Sequence, residues 1–139
     1  MTTETRPVHS NQLVSRSILG LAGLVAVGIA TTILFTPGAF YGGYGIDVVG
    51  NPTLANELKA PGGALLVAGF LMFFGVIRRD WLLPSLAIAV IVYLSYGFGR
   101  LLSIGLDGVP HSGMVAAAVI EFAIGAVCLS ALHHVRRVQ

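Results

Sequence analysis

Charge is scarce in this sequence, and so are cysteine and histidine. Charged residues take up 10% of the 139 positions, against about 25% in a typical soluble domain. Hydrophobic residues make up 55%, and the mean hydropathy is +0.86. So little charge excludes a disordered chain and an ordinary soluble domain. The single cysteine, Cys128, excludes a disulfide within one chain and any multi-cysteine zinc or iron–sulfur site. There is no phosphate-binding glycine loop, no nucleophile elbow and no zinc-protease motif. No histidine falls inside an apolar run, so a haem gripped by two facing histidines has no ligands, and no cofactor is expected. His111 lies four residues from Asp107, but two ligands do not make a metal site. His133 and His134 neighbour Arg136 and Arg137 and read as interfacial. The net charge of +2 does not point to nucleic acid. The positive residues stand at the ends of apolar runs, where membrane topology accounts for them.

What the sequence does have is four long apolar runs. Residues 17–35 and 61–77 carry no charge, residues 82–106 carry only Arg100, and residues 114–132 carry only Glu121. Each is close to the ~20 residues that cross a hydrocarbon core of about 30 Å. Backbone groups in lipid must bond within their own segment, so each run is expected to be helical. The first run is longer than a signal-peptide core and has no clear cleavage site after it, so it reads as a retained span. The expected fold is all-α: an integral membrane four-helix bundle over residues 17–132. Its spans lie at about 17–35, 57–77, 82–106 and 114–132, between tails at 1–16 and 133–139.

Arginines set the expected orientation. Arg6 and Arg16 precede the first span, Arg78 and Arg79 fill the turn between the second and third, and Arg136 and Arg137 follow the fourth. With four spans, all six fall on one side, and Lys59 lies near the other. Positive residues are retained in the cytoplasm, so both termini are expected there. Phe40, Tyr41 and Tyr44 outside and Trp81 inside read as interface anchors.

The one long connection, residues 36–60, opens with Gly38, Gly42, Gly43, Gly45 and Gly50, which predict irregular chain. Pro52 after Asn51 then suits a helix start, and a helix is expected over 53–77, with a kink where Pro61 interrupts it. Gly45-Ile46-Asp47 and Gly105-Leu106-Asp107 echo each other too briefly to argue a duplication. Ala22, Ala26 and Ala30, Ala64 and Ala68, and Ala117 and Gly125 form small faces that suit close helix packing.

The polar residues inside the spans are the candidate site. Tyr93, Tyr96, Arg100, Ser103 and Asp107 are spaced 3, 4, 3 and 4 apart, which aligns them on one helical face. Such a stripe should face other helices or a water-filled cavity. Arg100 lies six residues from the outer end of its span and Glu121 seven from the start of the next. Matched depth on consecutive antiparallel helices predicts an ion pair, in which each group relieves the other's desolvation. That pair reads either as a structural lock or as the floor of a binding site. Glu57, Lys59 and Asp107 share the outer end and read either as solvated interface residues or as part of an outward-facing pocket. Such a pocket would suit a zwitterionic or anionic lipid headgroup, a quinone oxygen or a partner's peptide segment.

Asn56-Glu57-Leu58-Lys59-Ala60 followed by Gly62-Gly63, Gly99-Arg100-Leu101-Leu102-Ser103 leading to Leu106-Asp107-Gly108 and Pro110, and the lone Glu121 together resemble the bacterial membrane family called domain-of-unknown-function family 4345. The resemblance spans roughly residues 15–135. It implies a four-helix integral membrane protein and brings no activity with it. The family's polar pattern is matched at Glu57, Lys59, Arg100, Asp107 and Glu121, and Pro61 departs from it. A looser similarity to DoxX-like four-helix proteins concerns architecture alone.

Three functions remain open at this point. One is an accessory or binding subunit that holds a lipid, a quinone or a partner, within a larger membrane complex or a homo-oligomer. The absence of a recognisable catalytic set favours it over an enzyme. The second is a small enzyme on a lipid-like substrate, with Glu121 as acid/base and Arg100 as electrostatic stabiliser. The third is a small multidrug-type transporter. Such exporters carry their glutamate in the first helix, and this chain does not.

Overall fold

The computed structural model describes residues 8–138, so Arg6 lies outside the described residues. The chain forms α1 (Val8–Phe35), a short α2 (Pro37–Gly42), α3 (Pro52–Ile77), a single 3-10 turn (Arg79–Trp81), α4 (Leu82–Asp107) and α5 (Ser112–Val138). No strand occurs among the described residues. Four segments are long and apolar enough to cross a membrane: Gln12–Phe35, Pro52–Ile77, Arg79–Asp107 and Ser112–Arg137. At 1.5 Å per residue, a 26-residue helix such as α3 is about 39 Å long, more than a hydrocarbon core requires. The outer surface carries Leu21, Leu24, Phe70, Ile91, Phe98 and Val119, all well exposed. Such a surface belongs against lipid, and the chain is a multi-pass membrane protein.

The four long helices run up and down in a ring. α1 packs mainly on α3, and α4 mainly on α5; α3 against α4 and α1 against α5 close the circle. The termini and the 78–81 turn therefore share one end. The far end holds α2 and the turn 108–111, where Gly108 ends α4 at φ +98°, a conformation glycine adopts readily. The packed core is concentrated towards the termini end. Leu19, Met72, Leu86 and Cys128 are almost fully buried there, and the Ser85 hydroxyl donates to the Leu71 carbonyl at 2.7 Å. α1 and α3 cross closely at Gly23 and Gly69. A β-carbon on Gly69 would stand 2.6 Å from Val27 Cγ2 and 3.2 Å from the Val27 backbone nitrogen.

Several boundaries differ from the sequence expectation. α1 begins at Val8 rather than at Ser17. The helical turns that precede the apolar run let Arg16 donate from its guanidinium to the carbonyls of Val76 and Ile77, capping the end of α3. α5 runs to Val138 rather than stopping at 132. Val135 is buried in that extension, and Arg136 and Arg137 sit favourably at the negative end of the helix dipole. α3 starts at Pro52, where the Asn51 side chain accepts from the Leu54 N–H at 3.0 Å, and it continues through Pro61 without a break. The glycine-rich start of the long connection is not irregular throughout. Pro37 opens the six-residue α2, and the non-helical chain begins only after it. At the turn, Trp81 packs edge-on against Phe74 with ring centres 5.2 Å apart.

Candidate functional site

The core thins towards the far end, and the space between the helices there is a cavity of about 300 Å³. That is the lower end of the usual range for small-molecule sites, about 300–1,000 Å³. Four sides bound it, each with a different chemistry.

Its inner limit is set by Tyr93, Leu65 and Ala26. Tyr93 is buried, and its hydroxyl donates to the Ala22 carbonyl at 2.6 Å. That bond ties α4 to α1 and closes the cavity off from the packed half below. Its polar edge is Tyr96, Arg100 and Glu121. Arg100 Nε donates to both carboxylate oxygens of Glu121, each at 3.0 Å. The Arg100 side chain keeps 33% of its surface accessible and the Glu121 side chain 15%. Arg100 is seven residues from the end of α4, about 10 Å along the helix. The Tyr96 hydroxyl makes a long contact, 3.4 Å, to the Pro61 carbonyl on α3.

The side between α1 and α5 is apolar and thin. Val25, Ile29 and Ile33 face Ala116, Ala117 and Ile120 across it. Ile29, Ala116 and Ile120 are also exposed, so little protein covers the cavity on this side. The alanines leave room that larger side chains would fill.

The cover comes from α2 and the residues after it. Phe40 packs edge-on against Tyr41 (5.1 Å between ring centres) and Tyr44 (5.6 Å), and Tyr44 packs edge-on against His111 (5.9 Å). His111 Nδ1 accepts from the Gly113 N–H at 3.2 Å. Phe40, Tyr41 and Tyr44 all line the cavity. These three rings, expected as interface anchors, pack on one another, with Tyr44 also against His111, and roof the site. Burial pushes the Tyr41 phenol above its ordinary value; Tyr96 adds to the rise, and Arg100 works against it. Tyr41, Tyr96 and Arg100 thus share one electrostatic neighbourhood.

The structure brings some of the sequence-derived candidates together and separates others. Arg100, Glu121 and Tyr96 line the cavity. Ser103 donates to Asp107 at 2.9 Å, and both are exposed beyond the cavity at the end of α4. Glu57 is exposed and Lys59 half-buried on the first turns of α3, and neither lines the cavity. The cavity is therefore a mostly apolar chamber with one ion pair at its edge, not a ring of five charges. Sequence reasoning missed the aromatic cover. The signal was the Phe40-Tyr41-Gly42-Gly43-Tyr44-Gly45 run, in which rings alternate with residues that let the chain fold back over them. No group of three or more metal-ligating side chains occurs among the described residues.

No curated protein and no solved structure matches the chain. A family model does, over residues 14–132, a stretch that includes α3 and α4, most of α1 and α5 and every wall of the cavity, and the chain belongs to that family, DUF4345, a domain of unknown function.

Proposed function

We propose that this protein is a binding subunit of the bacterial cytoplasmic membrane that holds an amphipathic, lipid-like molecule in the cavity. The observation that carries the reading is the pairing of an apolar chamber of about 300 Å³ with a single ion pair at its edge. Apolar walls take a chain or ring, and a few polar groups orient a head, which is the usual division of labour in a small-molecule site. The thin α1–α5 wall gives such a molecule a route in from the bilayer. The packed interior towards the termini end, with Leu19, Met72 and Leu86 fully buried, speaks against a passage through the membrane. The Arg100–Glu121 pair serves as the polar contact for the head, with Tyr41, Tyr44 and Tyr96 around it.

Ala117→Trp tests the reading. Ala117 lines the cavity from α5, and an indole there would project into the free space. Protein purified from native membranes should release a lipid-like molecule detectable by mass spectrometry, and Ala117→Trp should release at least about tenfold less, a loss of about 1.4 kcal/mol in binding. A ligand that is absent from the wild type, or retained in full by the folded variant, would overturn the proposal.

The reading also includes an orientation: both termini in the cytoplasm and the cavity in the outer leaflet. The arginines at 16, 78, 79, 136 and 137 all lie at the termini end, and this supports it. Val49 is 80% exposed on the long connection, and the native Cys128 is fully buried, so Val49→Cys offers a clean label site. An impermeant maleimide added to whole cells should label Val49→Cys fully and wild type hardly at all. Labelling that requires broken cells would reverse the orientation.

A further inference from the structure

The ion pair at the cavity edge is asymmetric in a way that bears on what the cavity accepts. A guanidinium has five N–H donors, and Arg100 uses its Nε–H on Glu121. Its two Nη groups make no hydrogen bond with any described residue. The hydroxyls of Tyr41 and Tyr44, which also line the cavity, have no hydrogen-bond partner among the described residues. The Nη groups thus leave strong charged donors free at this edge, which an acceptor oxygen on a ligand would take. Charge narrows the class further. Arg100 is the one cation and Glu121 the one anion among the cavity-lining residues. Lys59 is half-buried outside the cavity, and Glu57 and Asp107 are exposed. The positive charge of Arg100 is already matched by a carboxylate 3.0 Å from it. An anionic head on the Nη groups would share one cation with Glu121 in an apolar chamber, where like charges repel strongly. A neutral carbonyl takes the same donors without that repulsion.

We propose that the cavity selects amphiphiles with a neutral carbonyl head over anionic ones of the same chain, and that Glu121 sets this selectivity. The inference rests on the reading of the cavity as a ligand site. Such a carbonyl exists in an acyl ester and in a quinone ring, and the aromatic cover and apolar walls receive either. Glu121 acts here as a repelling element: its carboxylate leaves Arg100 able to donate but unable to attract an anion, a form of specificity by exclusion.

The test is equilibrium binding of radiolabelled probes to the full chain in nanodiscs of uncharged lipid. The probes are methyl hexadecanoate, a decyl-substituted benzoquinone and hexadecanesulfonate, which is anionic at every working pH. Site-specific binding is the part that Ala117→Trp removes. Wild type should bind at least one neutral probe about tenfold or more tighter than the sulfonate, and the better neutral probe identifies ester or ring as the source. Glu121→Gln should tighten sulfonate binding about tenfold, equivalent to about 1.4 kcal/mol, and shift the ratio of neutral-probe to sulfonate affinity towards the sulfonate. Arg100→Gln with Glu121→Gln should lose that gain, because the cation is gone as well. If Glu121→Gln does not fold, the wild-type order of the three probes still decides. A sulfonate bound in the cavity as tightly as the neutral probes, or sulfonate binding that Glu121→Gln does not tighten, overturns the charge selection and leaves the cavity reading intact. Binding that Ala117→Trp does not reduce for any probe overturns both.

Discussion

Gly69→Val should destabilise the detergent-solubilised protein by about 3 kcal/mol, the upper part of the range for overpacking. Even the first carbon of the new side chain would stand 2.6 Å from a methyl of Val27. Val27 can turn that methyl away, but its backbone nitrogen, 3.2 Å from the same point, cannot move without shifting α1. The two further carbons of valine press into the same crossing. Gly23 makes the reciprocal approach, since a β-carbon there would lie 3.3 Å from the Gly69 carbonyl oxygen. Close approach of this kind is how helices gain van der Waals contact in lipid, where apolar surface alone offers no drive to associate. Gly99→Val is the control. Nothing lies within 4 Å of a β-carbon on Gly99, and the change should stay within about 0.5 kcal/mol, as surface substitutions do. Thermal unfolding followed by circular dichroism compares the two. Equal melting of Gly69→Val and wild type would mean that α1 and α3 do not cross this closely.

Arg100→Ala should cost about 3 kcal/mol and the double variant Arg100→Leu with Glu121→Leu less than about 1 kcal/mol. Removing the arginine strands a carboxylate that is 15% exposed among apolar side chains. Removing both charges takes away the desolvation penalty together with the attraction. The lower end of the range for a broken buried pair applies, because Arg100 keeps a third of its surface accessible. Denaturation in mixed detergent micelles measures both variants. The pair contributes to stability in its own right only if the double variant falls as far as the single one. A stable double variant that no longer binds ligand would separate the pair's two roles: a site for a head, and a cost that each charge imposes without the other.

The four spans were legible because the requirement of the bilayer is one-dimensional. Length and apolarity along the chain decide it, and both can be read from the sequence. The site was half legible for the same reason. Depth follows from counting residues, so Arg100 and Glu121 could be matched; direction around the helix axis does not follow from depth. Glu57 shows the difference. It precedes the buried Gly75 by eighteen residues, five whole turns at 100° per residue, so the packed face continued backwards would include it, yet it is exposed and does not line the cavity. Near the helix end no apolar contrast marks the faces. Arg16 was legible as a topology signal but not as the cap on Val76 and Ile77, a contact between residues 60 positions apart. The aromatic cover was hidden because a ring in a loop looks the same whether it faces lipid headgroups or a neighbouring ring.

The uneven filling of the bundle has a consequence for how motion is distributed. One end is solid, tied by Tyr93 to Ala22, Ser85 to Leu71 and Arg16 to the end of α3. The other end surrounds a void and is held by edge-packed rings and one ion pair. Amide protons of α2 and of the first turns of α5 should therefore exchange through small local openings, while those around Leu86 and Cys128 await unfolding of the whole chain. The rate at which a guest leaves is then governed by the free energy of that local opening and not by the stability of the fold. The two quantities can be tuned by different residues, so the hollow end is able to vary its occupant while the solid end keeps the architecture.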